Sequence, residues 1–124
     1  MFSTKLAGVF SVLALAVGMA NAAAVDASAA AFGGDATYYY TGLGACGAYS
    51  QNSDFIVALP PSQYNNGANC WRHIKVQYQG RTIDATVVDL CPGCGGDSID
   101  LSPGAFQALS SLDAGRIRVT WNWA

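Results

Sequence analysis

Two aspartates, Asp89 and Asp100, flank a cysteine- and glycine-rich turn in the segment Thr86–Phe106, TVVDLCPGCGGDSIDLSPGAF. Two carboxyl groups whose surroundings push their pKa values apart can divide acid and base work between them. On a sugar chain that chemistry is cleavage of the glycosidic bond. Its inverting form needs the carboxyls about 6.5–9.5 Å apart, with a water held between them. Ile99 and Leu101 have the opposite parity to Asp100, so Asp100 is expected to point away from their apolar side. Asp89 continues the parity of Ile83, Ala85 and Val87. It is expected to lean toward the apolar face at a strand end, where desolvation raises a carboxyl pKa. The plainer roles are structural: Asp100 could cap a nearby turn, and Asp89 could accept backbone N–H bonds from the Cys91–Gly96 turn.

The remaining reactive side chains narrow the chemistry. Cys91-Pro92-Gly93-Cys94 has the C-x-x-C spacing of a redox pair, but the βαβ context of a thioredoxin is missing. A structural bridge is therefore the favoured reading, and four cysteines (Cys46, Cys70, Cys91, Cys94) allow three pairings. His73 is the one histidine, and it shares its parity with Lys75. No Ser-His-Asp set follows from it, and the cysteine spacings lack the second close pair of a zinc site. No metal and no cofactor is expected.

These residues must be carried by a small domain. The chain has 124 residues. Met1–Lys5 carries one positive charge, Leu6–Ala20 is apolar and uncharged, and Ala20-Asn21-Ala22 has the small-x-small form of a cleavage site. Residues 1–22 therefore read as a secretory signal peptide, too short for a membrane anchor of about 20 apolar residues. Residues 23–31 read as a flexible Ala/Ser-rich segment and 32–124 as the folded domain. A domain of that size often needs staples, and secretion permits disulfides. Six Lys and Arg stand against eight acids, all of them Asp, for a net charge of −2. With no basic cluster, nucleic acid is not an expected partner. An uncharged glycan fits better, and aromatic residues, 11% of the chain, can supply stacking faces.

The elements read as short strands. Thr37–Thr41 is a β-rich run, and Gly42–Gly47 is a glycine loop around Cys46. Asp54–Leu59 is apolar on both parities and predicts a buried strand that Pro60-Pro61 ends. Ser62–Asn69 reads as a polar loop. Ile74, Val76 and Tyr78 alternate with polar residues up to a Gln79-Gly80 turn, and Ile83, Ala85 and Val87 alternate after it, which predicts a hairpin. Ser102-Pro103 looks like a helix N-cap and first position, with Phe106, Leu109 and Leu112 as its buried stripe and Asp113-Ala114-Gly115 as its end. The last strand, Arg116–Trp123, puts Ile117, Val119, Trp121 and Trp123 on one face, so both tryptophans are assigned to the core. Many short strands with one short helix predict a mainly β fold, a small barrel.

Several pieces, taken in order, resemble one family. Gly34-Asp35-Ala36-Thr37-Tyr38-Tyr39 looks like the opening strand of expansins, and Gly44-Ala45-Cys46-Gly47 like their GACG loop. Gly67-Ala68-Asn69-Cys70 with Ile74-Lys75-Val76, then Val88-Asp89, Ile99-Asp100-Leu101-Ser102 and Ala105-Phe106, then Gly115-Arg116-Ile117 to Trp121 complete the series. The chain resembles the expansin-like six-stranded double-psi β-barrels, which include barwin-like and rare-lipoprotein-A-like domains and the family 45 glycoside hydrolases. It looks most like the single-domain loosenins of fungi. The resemblance implies that Asp100 is the counterpart of the hydrolases' general acid, with Asp89 as the second carboxylate. It implies a polar floor made by these two with Thr37 and Tyr38. It also implies the pairs Cys46–Cys70 and Cys91–Cys94. Tyr39 and Trp71 are further candidates for contact with sugar.

In the related hydrolases the base follows the aromatic residue of the opening strand. Here that place holds Tyr38-Tyr39-Tyr40-Thr41, without a carboxylate. The resemblance then implies that ordinary hydrolysis is absent or very weak. The expected function is that of a secreted, monomeric protein that binds cell-wall polysaccharide (cellulose, chitin or peptidoglycan) in an open groove and loosens it without cutting. A weak glycan-cleaving enzyme, a secreted inhibitor of papain-like proteases that works through its loops, and a riboflavin-aldehyde-forming oxidoreductase are the alternatives. The last lacks any flavin or metal site in the sequence.

Overall fold

A computed structural model describes residues 31–124. The expected signal peptide and residues 23–30 of the Ala/Ser-rich segment lie outside the described residues. The strands are β1 (Phe32–Tyr38), β2 (Ile56–Leu59), β3 (His73–Tyr78), β4 (Arg81–Leu90), β5 (Ile99–Leu101) and β6 (Ile117–Trp123). Two short helices, α1 (Pro61–Tyr64) and α2 (Pro103–Gln107), lie between them. The six strands close into one barrel in the order β1-β5-β2-β4-β3-β6. Strand β1 runs parallel to β5 and antiparallel to β6, and β2 runs parallel to β4 and antiparallel to β5. This mixed pairing is the double-psi β-barrel.

The hairpin forms for the reason its alternation predicts. Ile74, Val76, Ile83, Ala85 and Val87 turn into the barrel, and Gln79 and Gly80 both take positive φ, 46° and 82°, as a tight two-residue turn requires. All four residues of β2 are buried, so its apolar run on both parities does mark a strand covered on two sides. Val57 and Leu59 fill the interior with Ile99, Leu101, Phe106, Val119 and Trp121.

Four expectations are corrected. Strand β1 begins at Phe32, ahead of Thr37, because Gly33 and Gly34 continue the pairing with β6. A Cβ on Gly34 would lie 2.7 Å from the backbone of Asp97 and Ser98, so only glycine lets the strand pass there. The supposed loop after Pro60 contains α1 and a 3-10 turn, Asn65–Gly67, since Pro61 is preset for a first helical position. Helix α2 stops at Gln107, well before Gly115. Ser111 starts a separate 3-10 turn over Leu112–Ala114, its hydroxyl accepting from the Asp113 N–H, and Leu112 is partly buried. Trp121 is fully buried and its Nε1 donates to Asp97 O at 2.9 Å, but Trp123 sits at the rim with the Arg72 guanidinium 4.1 Å over its ring.

Disulfides join Cys46 to Cys70 and Cys91 to Cys94, the pairs that the resemblance implies. Ser102 ties three segments together. It is fully buried, its hydroxyl donates to Asp54 O, and its Oγ accepts from Ile56 N and Ala105 N, both at 3.3 Å. One side chain thus caps α2 and closes the approach to β2. Ser102→Ala leaves these buried groups unpaired and should cost roughly 2–3 kcal/mol, combining a lost N-cap with an orphaned carbonyl. Urea unfolding checks this, with a lower midpoint and an unchanged slope as the expected outcome.

Candidate functional site

The site is one row across four strands. Thr37 on β1 is paired with Asp100 on β5, Asp100 with Ala58 on β2, and Ala58 with Asp89 on β4. Asp100 points outward between Ile99 and Leu101, which are buried inside. The Thr37 hydroxyl donates to Asp100 Oδ1 at 3.0 Å. Ala58, 2% exposed, lies between the two aspartates, and its methyl group leaves the floor low there. With strands about 4.8 Å apart, the Cα atoms of Asp89 and Asp100 stand about 10 Å apart.

Asp89 reaches this row through a β-bulge. Val57 pairs with Val87, but the next residue, Ala58, pairs with Asp89, so Val88 is the extra residue. One inserted residue flips everything beyond it to the other face. The expected lean of Asp89 toward the barrel interior is therefore reversed. Asp89 lies on the outer face with Asp100. Val88 is buried apart from the interior cluster, and its carbonyl accepts from Cys46 N at 3.0 Å. Gly44 packs so closely here that a Cβ on it would lie 2.3 Å from Val88 O.

The two carboxylates live in different surroundings. Asp89 Oδ1 accepts from Ala45 N and Leu90 N, both at 2.8 Å, and its Oδ2 accepts the Tyr39 hydroxyl at 3.1 Å. The amides thus come from the Gly44–Gly47 loop and its own strand, where the Cys91–Gly96 turn had been the expected donor. Three of a carboxylate's roughly four lone-pair positions are filled. Among the described residues, Asp100 has Thr37 alone as a side-chain donor. Partial burial pushes its carboxyl above the usual aspartate range, and the charge of Asp89 adds to the rise, while the Thr37 bond and the Arg116 charge work against it. Tyr39 is also pushed up, by burial first and then by the charge and hydrogen bond of Asp89, so it remains a neutral donor.

Tyr39, two residues after Thr37, belongs to the row. Tyr38 does not. Strand alternation turns Tyr38 to the other side, where its ring packs 5.0 Å from that of Phe106 and its hydroxyl donates to Leu112 O at 3.2 Å. The floor is thus Asp89, Asp100, Thr37 and Tyr39. Trp71 is tied to β4 by its backbone N–H, which donates to Val87 O at 2.8 Å; its φ is 73°, the residue is half exposed, and no hydrogen bond joins it to the row among the described residues. Asp35, which precedes the tyrosines by several residues and so does not fill the base position, lines a recess reached past Thr37 together with Ser98 and Arg116, which the sequence does not single out. The parity of Asp35 with Thr37 was the available signal.

The family described as lytic transglycolase matches residues 30–121. The chain belongs to this double-psi β-barrel family. It is similar to the papain inhibitor of Streptomyces mobaraensis, 39% identical over 99 residues that cover 73% of this chain and 69% of that one. It is similar to an Asp f 7 allergen homolog of Arthroderma benhamiae, 38% identical over 81 residues, 61% of this chain but 28% of that protein. Among solved structures, a point mutant of an expansin of Clavibacter michiganensis in complex with cellohexaose matches with a TM-score of 0.71 and 28% identity, over 76% of this chain and 50% of that one. The chain thus spans half of the expansin and less than a third of the allergen homolog.

In this double-psi barrel the two aspartates should respond to mutation with opposite sign. The folded-state pKa of Asp100 is raised, so between the ordinary aspartate value and the raised one the native state holds the extra proton. Stability falls as pH rises through that window. Asp100→Asn removes the charge and keeps an acceptor for Thr37. Its Tm should exceed that of the parent by a few degrees at pH 7, and the gain should vanish below about pH 4. Asp89→Ala should destabilise at pH 7 by roughly 2–4 kcal/mol, having orphaned two amides and a phenol. Thermal melts of both variants at pH 3 and pH 7 check the pair.

Proposed function

We propose that this double-psi barrel is a secreted, loosenin-like protein that holds a cell-wall polysaccharide chain along the row Asp89–Asp100–Thr37–Tyr39 and loosens it without hydrolysis. One observation carries the reading. The row pairs a single poorly solvated carboxyl, Asp100, with a second carboxylate whose oxygens are already engaged. Asp100 can donate or accept toward a sugar hydroxyl and so compete for the hydrogen bonds that hold glycan chains to one another. Inverting hydrolysis needs a base with a free lone pair aimed at a water. At Asp89 two amides fill Oδ1 and the Tyr39 phenol holds one of the two positions on Oδ2, so only one lone pair is left for such a water. The cellohexaose held by the matching expansin supports a glycan as the ligand. The two disulfides suit the oxidising compartment that a secreted protein meets.

A second reading has its own support. The papain inhibitor relative is 39% identical to this chain. The loop after β1 exposes Tyr40 (73%), Leu43 (60%) and Tyr49 (81%), with Leu43 bridged to Tyr49. Apolar side chains on a braced loop suit a protein partner.

The deciding experiment uses one sample of the full chain, with weakening of cellulose and chitin and release of reducing sugar measured in the same tubes. Weakening without sugar release, lost in Asp100→Asn although that variant is folded, is the expected result. Sugar release that Asp100→Asn abolishes would replace loosening with hydrolysis. Papain inhibition unaffected by Asp100→Asn, with no effect on either glycan, would move the function to the loop.

A further inference from the structure

Beside the row, one step along β1, the surface dips into a recess of about 170 Å³. Asp35, Thr37, Ser98, Arg116 and the Cys91–Cys94 loop bound it. Asp35 stands two residues before Thr37 on the same face, about 7 Å away at the rise of a strand. A sugar ring seated over Thr37 and Asp100 would carry its ring substituent to this opening. The recess is several times the about 30 Å³ that a water occupies in the liquid, so it has room for a small acyl group.

Its walls offer both signs of hydrogen-bonding group. Arg116 Nη1 donates to Asp35 Oδ2 at 3.0 Å, and Arg118 Nη1 lies 3.6 Å from Asp35 Oδ1. The guanidinium of Arg116 has five N–H donors, so it has others to offer. Ser98 Oγ accepts the Asp35 N–H at 3.1 Å and can donate its own proton. The Asp35 carboxylate accepts. The Cys91–Cys94 bridge supplies an apolar wall.

We propose that this recess is a subsite for the acetamido group of an N-acetylated glycan. This rests on the groove reading above and adds the substrate class to it. An acetamido group carries one acceptor, one donor and a methyl group. Its carbonyl meets Arg116 and Ser98, its N–H meets Asp35, and its methyl meets the disulfide wall. A plain glucan has only ring hydroxyls and leaves the recess to water. A glycan carboxylate fits worse, since Asp35 is on the wall and Asp100 lies just past Thr37.

The test is calorimetric titration of the full chain with chitohexaose and with cellohexaose. Chitohexaose should bind about fivefold to tenfold more tightly, the gain of one net hydrogen bond. The double variant Asp35→Asn with Arg116→Gln should bring the ratio close to one. Both side chains are partly exposed, and Arg116→Gln alone serves if the double variant does not fold. Equal affinities in the parent, or a ratio that the variants leave unchanged, would overturn the subsite while the groove stands. Binding of neither hexaose would overturn the groove itself, and the subsite with it.

Discussion

One extra residue in β4 governs the outer face of this barrel. The bulge at Val88 turns Asp89 out of the interior and into line with Ala58, Asp100 and Thr37. Without it, strict alternation would bury a carboxylate among Val57, Val87 and Leu101, at a cost of several kcal/mol for an unpaired charge. The same residue turns its carbonyl to the Cys46 amide and so seats the glycine loop. The loop in turn gives the Ala45 amide to Asp89. Bulge, loop and carboxylate hold one another, and the Cys46–Cys70 bridge fixes the loop from its other side.

The consequence is a division between two like side chains. Asp89 is a fastener. It satisfies backbone donors and orients Tyr39, whose phenol stays protonated because burial and that same carboxylate oppose its ionisation. Asp100 is left with one weak partner and a raised pKa. A group held so is poorly placed for stability and well placed to exchange hydrogen bonds with a ligand, which is the usual tension between stability and function at a site. Between them stands Ala58, whose side chain is a single methyl group.

Much of this was legible in the chain. Alternation gave the hairpin and the outward set of Asp100, and the resemblance named Thr37 and both disulfide pairs. The parity of Asp89 could not be read, because a bulge in a parallel pair leaves no mark when both residues concerned, Val87 and Val88, are apolar and buried. The resemblance puts Tyr38 in the floor and leaves Tyr39 as a further candidate for sugar contact, whereas counting by two from Thr37 places Tyr39 on its face. Helix α2 was read too long because Leu109 and Leu112 keep a helical spacing through a break that Ser111 makes locally. The pairing of Asp35 with Arg116 stays hidden for a different reason: β1 and β6 meet only when the barrel closes.

That closure also sets how the domain must fold. Among the described residues, strand β1 has no pairing partner near it in the chain. Its partners are β5 and β6, and Phe32 pairs with Trp121 at the far end. Only β3 and β4 can pair locally. Contacts of such long range are slow to form, since the loop they close must first be ordered. The barrel therefore cannot be completed until the last strand is available. Until then the chain has an open edge and an interior without Trp121, the fully buried ring that only the last strand supplies.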